Sequence, residues 1–322
     1  MQFRNMTKRF IVPNNASLKK EFAGLNSVGP SSSFNVAEHF LNEGKNRYSN
    51  VLADDETRVM LNDDGYINAN YVLDEYISTQ APIASNDFCK NGTISDFWLM
   101  VWEQRSPIIV MLTKFRENGK RKADPYWPKL NEQLTFGNIA VCNVNVINLG
   151  SIIVTKLELR FADETRVVHH MHYHEWPDQG VPNSTDNLRF LISLINIYQT
   201  FNQKLNGRII CHCSAGIGRA GTFIASHHII SLIDNGTDVS EIHVPTVVSQ
   251  MRKGRTGMVQ RVEQYKFIYR TANDWINQRA TLPSKKRRLS KTRSLCTLPS
   301  YIAKVTSSID ERDLLTSSHG VF

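Results

Sequence analysis

The chain has 322 residues, of which 41% are hydrophobic and 21% are charged, and it carries a net charge of +8. It contains no run of about 18 apolar residues, so the sequence predicts no membrane-spanning helix. The five cysteines are scattered, which argues against a disulfide framework and favours a reducing compartment. The first residues also lack the apolar stretch of a signal peptide. We therefore expect a globular protein of the cytoplasm.

Apolar patterns along the chain predict an α/β domain. Continuous apolar runs indicate buried strands, strict alternation indicates half-buried antiparallel strands, and a period near 3.6 indicates helices. In chain order, the predicted elements are strands at 107–112, 139–146, 152–159 and 208–211, and helices at 187–198, 222–233 and 262–277.

The segment 211–222, Cys-His-Cys-Ser-Ala-Gly-Ile-Gly-Arg-Ala-Gly-Thr, lies between a predicted buried strand and a predicted helix. Cys213 and Arg219 bracket five small or apolar residues, namely Ser214, Ala215, Gly216, Ile217 and Gly218. A loop this short curls around its ligand, with backbone N–H groups pointing inward and a helix N-terminus behind them. Such a nest favours a doubly charged oxyanion, and Arg219 adds a planar fork for two phosphoryl oxygens. The same positive field favours the thiolate form of Cys213, so the pattern predicts phosphoryl transfer through a phosphocysteine.

Two other interpretations of this segment are open. Residues 216–221 satisfy the G-x-G-x-x-G pattern of dinucleotide-binding loops, although Arg219 falls inside it and no strand ending in Asp or Glu follows about 20 residues on. Cys211 and Cys213 are alternatively a buried pair beside a Gly-rich turn, because a free cysteine is usually a small core residue. A zinc site here lacks a second ligand pair at a suitable spacing.

A histidine-rich stretch precedes this loop. His170, His172 and His174 would share one face of a strand, with His169 beside them, and three such imidazoles can bind zinc. The alternative is that they make ordinary hydrogen bonds around the loop that follows. Because phosphoryl transfer through cysteine needs no Lewis acid, we predict neither a metal nor another cofactor.

Seven further segments occur in the order found in protein tyrosine phosphatases, which the chain resembles over roughly residues 15–278. They lie at 45–48, 64–71, 79–82, 96–104, 122–128, 172–182 and 260–265. The resemblance implies an α/β fold with a twisted mixed β-sheet flanked by helices. The single-domain, non-receptor layout is also similar to that of the tyrosine phosphatases of polydnaviruses.

The resemblance implies a role for each catalytic residue. Cys213 is the nucleophile, and Arg219 binds the phosphoryl oxygens. Asp178 is the general acid for the leaving phenolate and then the general base for water. The alternative interpretation is that Asp178 is an ordinary turn residue in Pro-Asp-Gln-Gly. Gln260 positions that water, and Gln264 supports the loop that carries Gln260.

Further residues are implied to bind substrate or to support the catalytic groups. Tyr48 lines a deep slot that phosphoserine is too short to fill, and Asn50 contacts the peptide backbone. His212 helps to tune the thiolate, Glu117 pairs with Arg219, and Lys122 contacts Asp178. For Glu117 and Lys122 the alternative is ordinary charge pairing, most of which contributes little to stability.

The chain departs from the family pattern at several positions. Ala220 stands where a Ser or Thr usually donates a hydrogen bond to the catalytic thiolate. Ala123 replaces a Cys, Gln179 follows the acid where an aromatic residue or His is common, and an insertion lengthens the segment 83–92. We expect weakened but detectable turnover as a result of Ala220.

We predict three regions: an N-terminal extension at 1–14, a catalytic domain at 15–278 and a basic, disordered tail at 279–322. The run Lys-Lys-Arg-Arg at 285–288 is open to three interpretations: a nuclear import signal, an anionic-lipid contact or a solvated tail. No nucleic-acid recognition motif accompanies the charge, so no nucleic acid is expected as a partner.

The function expected from the sequence is hydrolysis of phosphotyrosine in proteins. The main alternative is a pseudophosphatase that binds phosphotyrosine proteins without turnover. The chain keeps all four catalytic residues, which argues against this alternative: Cys213, Arg219, Asp178 and Gln260. A dual-specificity or lipid phosphatase shares the Cys-to-Arg loop, but Tyr48 and the complete acid loop argue against that class.

Overall fold

A computed structural model of the chain describes residues 9–27, 33–62, 64–85, 91–177, 180–201 and 207–280. The ten strands of this part are β1 Ala69–Val72, β2 Tyr76–Thr79, β3 Ile108–Met111, β4 Arg116–Glu117, β5 Lys120–Arg121, β6 Gln133–Phe136, β7 Ile139–Asn148, β8 Ile152–Phe161, β9 Glu164–Tyr173 and β10 Ile209–His212. Eight of them form one mixed sheet in the order β1-β2-β10-β3-β9-β8-β7-β6, and β4 and β5 form a separate hairpin.

Helices cover both faces of the sheet. The described α-helices are α1 Asn15–Gly24, α2 Asn35–Glu38, α3 Phe40–Glu43, α4 Ile94–Glu103, α5 Asp186–Phe201, α6 Arg219–Asp234, α7 Val244–Gly254 and α8 Val262–Ala280. On one face, α5 to α8 and α1 pack in a large apolar core. On the other face, α4 inserts Phe97, Trp98 and Val101 against β7 and β8. Because both faces are covered, the central strands are apolar on both sides, as parallel strands usually are.

The parallel strands bring four chain segments to one edge of the sheet. β10 pairs in parallel with β2 and with β3, and His212 lies opposite Thr79 and Met111. β3 also pairs in parallel with β9, which sets Met111 opposite His172. The loops that follow these strands therefore emerge side by side. Ligands of α/β proteins bind at such carboxyl ends.

The predicted fold class is confirmed, and every strand and helix predicted from apolar patterns is present. The largest shifts are of three residues: α5 ends at Phe201 and α8 at Ala280, and α6 begins at Arg219 and not at the predicted 222. For α6 the shift has a visible cause. The reason is that the amide N–H of Thr222 already donates to the carbonyl of Gly218, so the loop continues into the helix without a spacer. Other elements were not predicted: the helices α1, α2, α3 and α7 and the strands β1, β2, β4, β5 and β6.

The predicted region boundaries fall close to element ends. α1 begins at Asn15 and α8 ends at Ala280. The tail beyond 280, most of the N-terminal extension and part of the predicted insertion at 83–92 lie outside the described residues, so the three regions stay a prediction. No helix of the described part is long and apolar enough to cross a bilayer.

Candidate active site

The loop between β10 and α6 has its carbonyl groups turned outward. Six hydrogen bonds hold the carbonyls of His212 and of residues 214–218 in this direction. Their donors, in the order of these acceptors, are Leu112 N, Ala81 N, Arg255 Nη2, Ser78 Oγ, Val259 N and Thr222 N. In a planar trans peptide the N–H of the next residue points opposite to the carbonyl. The amides of the loop therefore face inward around Cys213, whose side chain is buried. This arrangement is a cradle for an anion.

Gly216 is required by the geometry of this cradle. Its φ is +73°, in the left-handed region, and a Cβ there would lie 2.2 Å from the carbonyl oxygen of Thr79. Only glycine lets the loop approach β2 this closely while keeping that backbone conformation.

Arg219 is held by a bidentate ion pair with Glu117. Nη1 and Nη2 of the guanidinium each lie 2.7 Å from a different carboxylate oxygen. Glu117 also accepts hydrogen bonds from Thr113 Oγ1 and from the amide of Lys114, each at 3.2 Å. The ion pair predicted from the sequence is present, and both partners are buried. It fixes the direction of the fork, because two parallel bonds leave a guanidinium little freedom.

His212 lies behind Cys213 in a chain of buried hydrogen bonds. Its Nδ1 is 3.0 Å from the Cys213 carbonyl, and its Nε2 is 2.7 Å from the hydroxyl of Tyr126, which also lies 2.6 Å from Nε2 of His170. Since the carbonyl can only accept, His212 donates from Nδ1 and accepts from Tyr126 at Nε2. Burial lowers the pKa of His212 to about 3. The residue thus provides an oriented neutral imidazole and no positive charge at neutral pH.

Tyr48 lies at the rim of the cradle, and Asn50 follows it two residues along the chain. The Tyr48 hydroxyl is 2.8 Å from Ser214 Oγ, which in turn donates to the Lys122 carbonyl at 2.6 Å. Tyr48 is half-buried and Asn50 is exposed. The structure therefore joins the predicted specificity residue directly to the anion loop.

The two predicted glutamines lie against Gly218. A Cβ on this glycine would be 3.1 Å from Gln264 Nε2 and 3.3 Å from Gln260 Oε1. Gln264 is buried, and its Oε1 accepts hydrogen bonds from the amides of Gln260 and Arg261 at 3.0 and 3.2 Å. Gln264 thus supports the loop that places the exposed Gln260 near the cradle.

The predicted acid, Asp178, lies outside the described residues, as does Gln179. The predicted contact of Lys122 with Asp178 is therefore outside them as well. The flanks of this loop are well packed: Trp176 is buried, its ring meets Phe267 edge-on, and its Nε1 donates to the Gly180 carbonyl at 3.2 Å. Trp176 therefore ties the segment just before Asp178 to α8.

The histidines of β9 make separate hydrogen bonds and do not converge. His170 is bonded to Tyr126, His172 Nε2 lies 2.8 Å from the Thr113 carbonyl, and His174 Nε2 lies 3.1 Å from the Gly150 carbonyl. Within the described ranges, no group of three or more His, Cys, Asp or Glu side chains is arranged to hold a metal ion. The zinc interpretation has no support from this geometry.

Arg255 is part of the site but was missed by the sequence analysis. It follows α7, is fully buried, and donates to the carbonyls of Ala215 and Gly216 at 3.0 and 3.1 Å. The only signal in the sequence is its place in Met-Arg-Lys-Gly-Arg, shortly before Gln260. Arg252 is buried as well, and composition gives no reason for Arg255, rather than Arg252, to contact the loop carbonyls.

An oxyanion cradle with a cysteine at its base, at the carboxyl ends of parallel strands, defines a cysteine-based phosphatase site. Comparison with known families agrees: the sequence model of the protein-tyrosine phosphatase family, described as "Protein-tyrosine phosphatase", matches residues 42–274. The chain belongs to this family.

Curated relatives carry the same name. The chain is 40% identical over 269 residues to tyrosine-protein phosphatase 3 of Dictyostelium discoideum. The aligned region covers 76% of this chain and 26% of the relative. It is 39% identical to tyrosine-protein phosphatase 2 of the same organism, over 69% of this chain and 58% of the relative. It is 37% identical to a Lar-like tyrosine-protein phosphatase of Caenorhabditis elegans, over 87% of this chain but only 13% of the relative. The chain thus matches a part of each of these proteins, at most 58% of the relative's length.

Proposed function

We propose that the protein hydrolyses phosphotyrosine in proteins through a phosphocysteine intermediate. The observation that carries this proposal is the anion cradle, in which outward-held carbonyls turn the amides toward Cys213 and Glu117 fixes the fork of Arg219. Family membership supports the same conclusion.

In the first step the Cys213 thiolate attacks phosphorus, the S–P bond forms and the P–O bond to tyrosine breaks. Asp178 gives its proton to the leaving oxygen. The loop amides and Arg219 stabilise the charge on the three equatorial oxygens. In the second step a water positioned by Gln260 loses a proton to Asp178 and attacks phosphorus. Inorganic phosphate leaves, and the thiolate is restored.

Tyr48 supports the choice of phosphotyrosine as substrate. Its hydroxyl is bonded to Ser214 of the cradle, so its ring stands beside the entrance. A phenyl ring of the substrate can stack there while its phosphate reaches Cys213. A phosphoserine side chain is too short to do both, and a rim of this kind argues against a dual-specificity enzyme.

The test is hydrolysis of matched phosphotyrosine and phosphoserine peptides by the purified protein. We expect phosphate release from phosphotyrosine only, no turnover by Cys213→Ser, and a decrease of about 10²–10⁴-fold in Asp178→Ala. Cys213→Ser should still bind the phosphotyrosine peptide, because the cradle does not depend on the thiol. Binding without turnover by the unaltered chain would instead establish a pseudophosphatase.

We also propose that the basic tail at 279–322 sets the location of the protein, which is cytoplasmic or nuclear, by contact with import machinery or with anionic lipid. The charge of 285–293 supports this proposal. Deleting residues 282–322 should change the distribution in cells and leave the catalytic rate intact. An unchanged distribution would leave only a solvated tail. The narrower resemblance to polydnavirus enzymes stays a prediction.

A further inference from the structure

The charge around the cradle is distributed in a way that the catalytic roles do not explain. Arg219, the cation within the loop, is paired with Glu117 through two bonds of 2.7 Å. Arg47, which lies on the rim beside Tyr48, is paired with Asp124 at 2.9 Å. The Arg219–Glu117 pair therefore adds little net charge to the site. Asp124 also pairs with Arg121, so the cluster around Arg47 keeps one positive charge at the rim, but each of its cations contacts a carboxylate.

Arg255 differs from both. Its side chain is fully buried, and the four hydrogen bonds that it donates in the described structure all go to uncharged oxygens. The acceptors are the amide oxygens of Asn70 and Asn68, at 2.6 and 2.7 Å, and the carbonyls of Ala215 and Gly216. A buried guanidinium without a carboxylate partner is costly unless another anion compensates it.

Among the titratable groups that act on Arg255, Cys213 is the one that the proposed reaction uses as an anion. Burial lowers the pKa of Arg255 to about 10, so the guanidinium keeps its proton at neutral pH, and the charges of Tyr66 and Cys213 act in the opposite direction. Burial also raises the pKa of Tyr66 to about 12, so this hydroxyl stays neutral.

The other titratable groups around Cys213 are neutral or paired. His212 is a neutral imidazole, and burial raises the pKa of the Cys211 thiol well above its ordinary value. Arg219 and Glu117 form the ion pair described above. Lys122 lies behind Ser214, half-buried, and has contacts of its own.

We propose that Arg255 is the positioning residue of the anion cradle: it supplies net positive charge to the Cys213 thiolate and the bound phosphate, and it holds two loop carbonyls outward. Both effects act from behind the loop, without contact with the substrate. The proposal rests on the phosphatase function for the identity of the anion.

The first test removes the charge. Arg255→Gln should raise the midpoint of the pH profile for Cys213 alkylation by iodoacetamide by about one pH unit, a tenfold loss of thiolate at a fixed acidic pH. It should also weaken binding of tungstate, an oxyanion that stands in for phosphate, by about tenfold or more. Arg255→Lys keeps the charge but loses the fork, so it should keep most of the alkylation profile and still bind tungstate more weakly.

The second test cancels the charge without removing Arg255. Asn70→Asp turns the side-chain amide whose oxygen already accepts from Arg255 Nη1 into a carboxylate. It should shift the alkylation profile in the same direction as Arg255→Gln. This variant decides the matter if Arg255→Gln does not fold. The matched control is Arg252→Gln. It removes a second buried arginine, which lies in α7 and donates to the backbone carbonyls of Met258 and Val259. Its alkylation profile should equal that of the unaltered protein.

Wild-type alkylation profiles in folded Arg255→Gln or Asn70→Asp would overturn the proposal, whatever happens to thermal stability. The same shift in Arg252→Gln would overturn it as well, since any lost buried arginine would then suffice. Neither readout requires turnover. Failure of the unaltered protein to hydrolyse phosphotyrosine would therefore count against the proposed function and not against this role of Arg255.

Discussion

Ala220 is the residue at which this site differs most in chemistry from the family pattern. It lies in the first turn of α6, is fully buried and belongs to the same apolar cluster as Cys213 and Ile217. In the proposed mechanism the loop amides and Arg219 stabilise the anion, and we propose the same of Arg255, but Ala220 offers no hydroxyl to the sulfur. The group that is missing is the one that would stabilise the thiolate as it leaves phosphorus.

Ala220→Ser should therefore speed hydrolysis of the phosphocysteine. A hydrogen bond to a charged group contributes about 1.5–3 kcal/mol, which corresponds to about tenfold or more in rate. Stopped-flow measurement with an aryl phosphate should show a smaller burst of phenol and a faster steady state. Ala225→Ser, at another fully buried alanine of α6, controls for the cost of burying a hydroxyl. Unchanged burst and steady state in Ala220→Ser would show that the hydroxyl is not limiting.

At the scale of elements, the cradle depends on the close approach of one loop to β2. Gly216 and Gly119 have nearly the same backbone conformation, with φ of +73° and +75°. They differ in surroundings: a Cβ on Gly216 would overlap the Thr79 carbonyl, whereas a Cβ on Gly119 would meet nothing within 4 Å. The pair therefore separates the cost of the conformation from the cost of the clash.

Gly119→Ala should lower the free energy of unfolding by about 1–2 kcal/mol, the cost of a left-handed alanine. Gly216→Ala should cost clearly more, because the backbone of β2 must move, and it should also abolish tungstate binding. Urea denaturation and calorimetric titration measure the two effects. Equal destabilisation by both substitutions, with tungstate still bound, would contradict the role assigned to the approach between Gly216 and Thr79.

For the whole molecule, several imidazoles are buried in neutral form. Burial lowers the pKa of His212 to about 3 and those of His172 and His227 to about 4, and it holds that of His170 well below the ordinary 6.5. Below pH 6.5 the unfolded chain takes up protons at these residues while the folded chain does not. Stability therefore rises with pH in this window and is lost as the pH falls from about 6.5 toward 4.

His227 allows this to be measured away from the active site. Its Nδ1 lies 2.5 Å from the Tyr76 hydroxyl and its Nε2 lies 3.1 Å from Asn196 Oδ1. In His227→Gln the free energy of unfolding should fall less between pH 6.5 and 4, by on the order of 3 kcal/mol over the window. Above pH 7.5 the curves for the two proteins should run parallel. Parallel curves throughout the acidic range would show that His227 takes up its proton in the folded state.

The sequence predicted those features that depend on neighbouring residues. Periodicity located four of the strands and three of the helices, and the spacing of Cys213 and Arg219 predicted the anion loop. It did not reveal what holds the loop, because the donors are distant in sequence: Ser78 and Arg255 both bond to Gly216. The histidines illustrate the same limit. Alternation placed them on one face of a strand, but β9 lies inside the sheet with both faces covered, so His170 is buried against Tyr126 and has no opening toward a metal.

The central position of β10 bears on how the protein is made. β10 lies between β2 and β3, yet of the ten described strands it is the last to leave the ribosome. Until it does, the sheet exists as two halves, β1-β2 and β3-β9-β8-β7-β6, each with an unpaired edge open to other chains. The four residues of β10, Ile209–His212, join the two halves and directly precede Cys213, so they also position it in the cradle. A nascent chain therefore has no assembled nucleophile site before its sheet is closed, and non-local pairing of this kind makes that closing step slow.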